Sequence, residues 1–96
     1  MTMDATYYRE RLLGLLQRDS VGREKVTLSS GAKSDYYVDG KMVTLSAEGI
    51  WLTAHVILDF IEDDNLCPDA IGGPTMGADP VAAAVAYLSY DRGRPI

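Results

Sequence analysis

The chain has 96 residues, 14 of them acidic and nine basic, for a net charge of −5. That length suits one small domain, since domains centre on about 100–150 residues, and 47% apolar with 24% charged residues excludes wholesale disorder. Scattered bases on an acidic chain disfavour nucleic-acid binding, and a single cysteine, Cys67, excludes an internal disulfide and points to a reducing compartment, the cytoplasm.

The first predicted element is a helix over Thr6–Arg18. Asp4 is its N-cap, and Met3 with Tyr8 forms a hydrophobic staple. Tyr8, Leu12, Leu15 and Leu16 recur at helical spacing and share one face. Gly14 weakens the helix, and Gly22 is available for a left-handed cap at its exit. The apolar Leu12–Leu16 stretch carries no cleavage pattern, so it is not read as a signal peptide. Short strands follow at Lys25–Leu28 and Tyr36–Asp39, hairpin-like, with turn formers over Ser29–Asp35 between them.

Ser46 then caps a second helix, with Leu45 and Ile50 as staple and Glu48 in the first turn. Ile50, Ala54, Ile57, Leu58 and Ile61 make its apolar stripe, widened by Trp51 and Val56. Glu62-Asp63-Asp64 sits against the helix dipole and reads as a solvated exit. Asp69–Gly73 is expected as a short buried strand and Pro74–Ala78 as a tight loop. Asp79 as N-cap with Pro80 at N1 begins a third helix. Its Val81–Leu88 run, eight residues long, is apolar all round but far short of the ~20 that span a bilayer. Tyr87 and Tyr90 are expected to pack that helix on a sheet, and Arg94-Pro95-Ile96 reads as the start of a further strand. One parallel strand with a crossover helix cannot satisfy its own backbone, so the chain reads as cut in mid-fold.

Two segments could carry chemistry. Gly72–Pro80 places glycines between strand and helix, where backbone N–H groups can form an anion nest. It has neither the Walker A lysine nor the Gly-x-Gly-x-x-Gly spacing, and Asp79 puts a negative charge where an anion would gain from the dipole. A bound phosphate would therefore lie on the N–H groups of Thr75–Ala78, and a plain turn remains the alternative. Leu28–Asp39 combines hydroxyls, Lys33 and two tyrosines around Gly31, which could wrap a planar polar ligand, although on its own a surface hairpin with Tyr36 or Tyr37 packed on the core is the favoured reading. His55 stands beside Trp51 on a helix flank with no Cys or His at ligand spacing, so packing is expected rather than metal binding. Cys67 has no activating base nearby.

Together, Thr27–Asp39 (TLSSGAKSDYYVD) and Ala70–Ala86 (AIGGPTMGADPVAAAVA) resemble the orotate phosphoribosyltransferase family. The resemblance implies a type I phosphoribosyltransferase α/β fold, a parallel sheet flanked by helices with a small N-terminal hood, incomplete in this chain. Hood elements would cover about 1–45, and the first part of the core sheet and helices about 46–96, all within a single domain. The implied reaction converts orotate and 5-phosphoribosyl diphosphate, with Mg2+, into orotidine monophosphate and diphosphate. Ser29, Tyr37 and Val38 would meet orotate, the last two through their backbone. Thr75, Met76 and Gly77 would form the diphosphate loop, with Met76 standing where some members carry lysine.

The resemblance also implies a homodimer for the full-length enzyme. It supplies no general acid or base and no metal ligand within 1–96, because the family's basic mobile loop and acidic ribose-phosphate motif would lie beyond Ile96. The alternatives are a non-catalytic phosphoribosyltransferase-like module that binds a nucleotide or regulates a partner, and a self-contained α/β interaction domain. On the enzyme reading, the purified 96-residue chain produces no orotidine monophosphate from orotate and 5-phosphoribosyl diphosphate and melts broadly. Turnover would contradict that reading, and a sharp cooperative transition would favour the interaction domain.

Overall fold

The computed structural model describes residues 4–22 and 26–96, so Met3 of the expected staple and Lys25 of the expected strand lie outside the described residues. The order is helix α1 (Ala5–Leu15), a wider π-helical turn (Leu16–Ser20), strands β1 (Val21–Gly22), β2 (Val26–Thr27), β3 (Lys33–Ser34) and β4 (Tyr37–Val38), then α2 (Lys41–Thr44), α3 (Ala47–Asp63) and α4 (Asp79–Asp91).

The caps act at two of the three helix starts where a short polar side chain was expected to cap. Asp4 accepts the Tyr7 N–H at 3.0 Å, and Ser46 accepts the Gly49 N–H at 3.1 Å, each satisfying a donor that the first turn leaves free. The third helix differs. Ala78 is its N-cap, and Asp79 and Pro80 lie inside the first turn. The chain is already wound there, with the Ala78 N–H donating to Pro74 O at 3.0 Å, so the helix starts without a capping side chain.

α3 is buried on two sides, and this organises the rest. Leu52 (1% exposed) joins Tyr8, Leu15 and Val43 in a cluster between α1, α2 and α3. Ala54 and Leu58 join Val85 in a second cluster between α3 and α4, flanked by Ile57, Ile61, Val81 and Leu88. The predicted stripe was therefore one face of two. Ala54, Ile57, Leu58 and Ile61 face α4, whereas Leu52 and Val56 face α1. Trp51 remains 41% exposed. An ion pair between Arg11 and Glu48 links α1 to the first turn of α3.

The strands pair differently from the expected hairpin. β2 pairs with β3 (Val26↔Ser34, Thr27↔Lys33), and β4 returns to β1 (Val21↔Val38, Gly22↔Tyr37), both antiparallel. The expected Ser29–Asp35 turn is itself folded. Leu28 N–H donates to Ala32 O at 2.7 Å around Gly31, whose φ of +88° suits glycine, and the chain then doubles back as β3. Gly22 is a strand residue rather than a left-handed cap. A Cβ there would fall inside the Tyr37 ring, so the missing side chain lets that ring lie across β1.

Asp69–Gly73 and Arg94–Ile96 are neither helix nor strand and join no ladder among the described residues. A strand is defined by its partner's hydrogen bonds, and no described edge lies alongside either segment. Both nonetheless contribute to the core, with Ile71 and Ile96 packed on the α3–α4 cluster. Tyr87 and Tyr90, expected to pack on a sheet, are 79% and 78% exposed. The observed fold is thus helix-rich with two small antiparallel ladders. No helix among the described residues is long and apolar enough to cross a membrane.

Two helical glycines predict opposite outcomes for the same substitution. Around Gly14 nothing lies within 4 Å of an added Cβ, whereas at buried Gly49 that Cβ would strike the Val43 carbonyl and stand 2.6 Å from Ser46 Oγ. Gly14→Ala should stabilise the chain by about 0.5–1 kcal/mol, and Gly49→Ala should destabilise it by about 1–3 kcal/mol. Urea unfolding followed by circular dichroism checks both signs.

Candidate functional site

The two segments singled out in the sequence approach each other across an open groove of about 1040 Å³. Asp39, Gly40, Lys41 and Leu45 line one wall, and Met76, Gly77, Asp79 and Pro80 line the other. Burial on both sides of α3 creates this arrangement: α2 is held through Val43 in the first cluster, and α4 through Val85 in the second.

The Pro74–Ala78 loop closes tightly on itself. Beyond the Ala78–Pro74 hydrogen bond, the Asp79 N–H reaches Met76 O at 3.4 Å. A Cβ on Gly73 would stand 2.7 Å from that of Ala78, so glycine permits the two ends of the loop to touch. The Thr75–Met76 peptide is cis. Among the described residues, the N–H groups of Thr75, Met76 and Gly77 donate to no protein acceptor. Ala78, counted among the expected donors, is occupied by Pro74. Gly77 has open space around its Cα, and Met76 is 77% exposed. Three consecutive N–H groups without a protein acceptor, in a loop open to solvent, are available to an outside acceptor.

The Leu28–Asp39 segment reaches the groove only at Asp39. Asp39 N–H donates to Ser20 O at 2.8 Å, which makes 39↔20 a hydrogen-bonded pair. Antiparallel pairs alternate, so Tyr37 exchanges its backbone bonds with Gly22, and Val38 turns its N–H and C=O to the open edge. Of the two residues expected to present backbone, Val38 is the one that the ladder leaves free. Tyr37 and Val38 are both exposed, their side chains on opposite faces. Ser29 is exposed in the β2–β3 turn. Ser29, Tyr37, Val38 and Thr75 do not line the groove; Met76 and Gly77 do.

Lys41 was passed over as one of several scattered bases, yet it is the groove's cation. The signal available in sequence was its place two residues after Asp39, whose carboxylate accepts the Lys41 N–H at 3.2 Å in the first turn of α2, where Gly40 is the N-cap. With Asp39 and Asp79 opposite one lysine, the lining does not by itself favour an anion. No group of three or more metal-ligating side chains occurs among the described residues, so a dedicated metal cage is not built here. A magnesium ion carried on a diphosphate needs only one or two carboxylates, and the groove's lining includes two, Asp39 and Asp79.

The remaining titratable candidates stand outside the groove. Cys67 is exposed. Asp63 and Asp64 are solvated as expected, but Glu62 is half-buried and reaches Arg92 at 3.5 Å. His55 is packed, as expected, with 8% of its surface exposed.

No family model matches the chain. Curated relatives do. Orotate phosphoribosyltransferase of Bradyrhizobium diazoefficiens is 45% identical over 94 residues, covering 98% of this chain and 49% of the relative. That of Streptomyces avermitilis is 48% identical over 86 residues, covering 90% of this chain and 46% of the relative. Among solved structures, Mycobacterium tuberculosis H37Rv orotate phosphoribosyltransferase in complex with Fe(III) dicitrate superposes with a TM-score of 0.69 at 39% identity, covering 83% of this chain and 46% of that one. The same enzyme in complex with inorganic phosphate gives 0.67. The chain spans about half the length of the curated relatives it matches, and along that span it is homologous to orotate phosphoribosyltransferases.

Proposed function

Taking that homology as premise, we propose that the chain supplies the orotate-facing hood and the diphosphate-facing loop of an orotate phosphoribosyltransferase. The reaction joins orotate to C1 of 5-phosphoribosyl diphosphate and releases diphosphate, a step of pyrimidine biosynthesis. Residues of about 1–45 act as hood and those of about 46–96 as the first part of the core. The segments carrying Ile71 and Ile96 take their places in a parallel sheet once neighbouring strands are present. The homology alone carries the further expectations of a cytoplasmic homodimer acting on small molecules and not on nucleic acid.

The observation that carries this reading is the run of three unpartnered N–H groups at Thr75, Met76 and Gly77. Charge accumulates on the diphosphate as its bond to the ribose breaks, and fixed donors aimed at that charge lower the barrier without reorganising. Glycine at position 77 allows a phosphate to approach the backbone closely. Val38, through its free backbone edge, and Tyr37 and Ser29 beside it, would hold the planar orotate. Magnesium, when bound with the diphosphate, would neutralise part of its charge beside Asp39 and Asp79. The chain's own part is binding and orientation.

Titration of the isotope-labelled chain with magnesium diphosphate, followed by amide NMR, tests this. The Thr75, Met76 and Gly77 amides should shift together. Met76→Lys should tighten binding at least about tenfold, since a charge-assisted hydrogen bond contributes about 1.5–3 kcal/mol. Amides that stay in place at millimolar diphosphate, with shifts elsewhere or none, would contradict the assignment.

A further inference from the structure

A cluster of titratable side chains outside the groove lies at the far end of α4. His55 is 8% exposed. Its ring stacks on Tyr8 of α1, with centroids 4.1 Å apart and planes 11° from parallel, and meets Trp51 edge-on at 4.5 Å. Its Nδ1 lies 2.6 Å from Arg92 Nη2, just past the end of α4. A guanidinium only donates. Nδ1 must therefore carry the lone pair, and the ring proton belongs on Nε2.

The same guanidinium donates through Nη1 to Asp59 Oδ1 at 2.9 Å and to Glu62 Oε2 at 3.5 Å. Asp59 stands one helical turn after His55, close enough for their side chains to meet. Its second oxygen, Oδ2, is buried and has no partner among the described residues. A buried acceptor without a donor calls for a reason. A donor that arrives only in a second state would be one.

We propose that His55, Asp59 and Arg92 form a proton-operated joint between α3 and α4. With His55 neutral, Arg92 holds Nδ1 and the two helices are latched. When Nδ1 takes a proton from solvent, two donors face each other. The Arg92–Nδ1 hydrogen bond is lost, the new Nδ1–H turns to Asp59 Oδ2, and Arg92 is left with its Nη1 contacts to Asp59 and Glu62 alone. Every charged group facing the ring belongs to this exchange: Asp59 from its own helix, Arg92 from α4, and Glu62 through Arg92. From α1 the ring meets the Tyr8 phenol.

Burial, and after it the Arg92 charge, hold the His55 imidazole below its ordinary value of 6.5, with Asp59 opposing. The depressed value means that the unfolded chain binds the proton more readily. The latch's contribution is thus present above pH 6.5 and is lost as pH falls through the folded-state value. α4 is also the helix that begins directly after Gly77 and Ala78, so opening the joint loosens the element that carries the loop.

His55 is the sole histidine, which makes its ring resonances unambiguous. Imidazole 15N NMR of the full chain between pH 8 and 4.5 should show the Nε2–H tautomer at neutral pH and a midpoint below 6.5. The 15N heteronuclear NOE of the Arg92 side chain should fall with that same midpoint, which a merely packed histidine would not cause. Arg92→Leu should raise the His55 midpoint, and Asp59→Asn should lower it further. An Nδ1–H tautomer, a midpoint at or above 6.5, or an Arg92 side chain whose mobility ignores the titration would overturn the proposal. Should either variant fail to fold, the unmodified chain's titration decides alone.

Discussion

Burial of α3 on two opposite sides is the constraint from which the remaining structure follows. Leu52 anchors α1 and α2 on one side, while Ala54 and Leu58 anchor α4 on the other. Losing such a leucine typically costs about 2–5 kcal/mol, a large part of what a small domain has in reserve. Helices that do not touch through their own cores are set in register by this shared element, and the groove is the space left between the end of the hood and the start of α4.

That construction divides the work between backbone and side chains. The groove's side chains are electrostatically mixed, with Lys41 between Asp39 and Asp79. Its backbone adds N–H groups without a protein acceptor at Thr75–Gly77, and Val38 offers an unpaired edge. Backbone groups locked by tight turns and short ladders are already oriented before a ligand arrives, which favours binding of a charged transition state over one that must reorganise its surroundings. Gly22, Gly73 and Gly77 serve this division by removing side chains where the backbone must be approached closely.

Much of this was legible in the sequence where local chemistry decides the outcome. Asp4 and Ser46 cap as their residue types require, α3 follows its apolar repeat, and the loop at 74–78 turns where its glycines and proline place it. What escaped depended on partners distant in sequence. Val21-Gly22 is too short and too glycine-bearing to read as a strand until Tyr37 lies across it. Leu52 falls off the stripe that faces α4 and becomes core only because α1 covers the other side. Lys33-Ser34 looks like turn until Val26-Thr27 pairs with it. Of the site, the loop was found by its glycines and Lys41 was missed, because only the fold carries it to face Met76. Asp69–Gly73 shows the reverse: its apolar character reads as a buried strand, and it does pack on the core, but a strand also needs an edge to pair with.

The central claim is that Thr75, Met76 and Gly77 present their N–H groups to diphosphate across the groove from the hood. A crystal structure of the chain grown with magnesium diphosphate tests it most directly. The account predicts diphosphate oxygens within hydrogen-bond distance of those three N–H groups, with Lys41 on the facing wall. Diphosphate ordered elsewhere on the chain, or a loop whose N–H groups turn inward to protein acceptors, would contradict it.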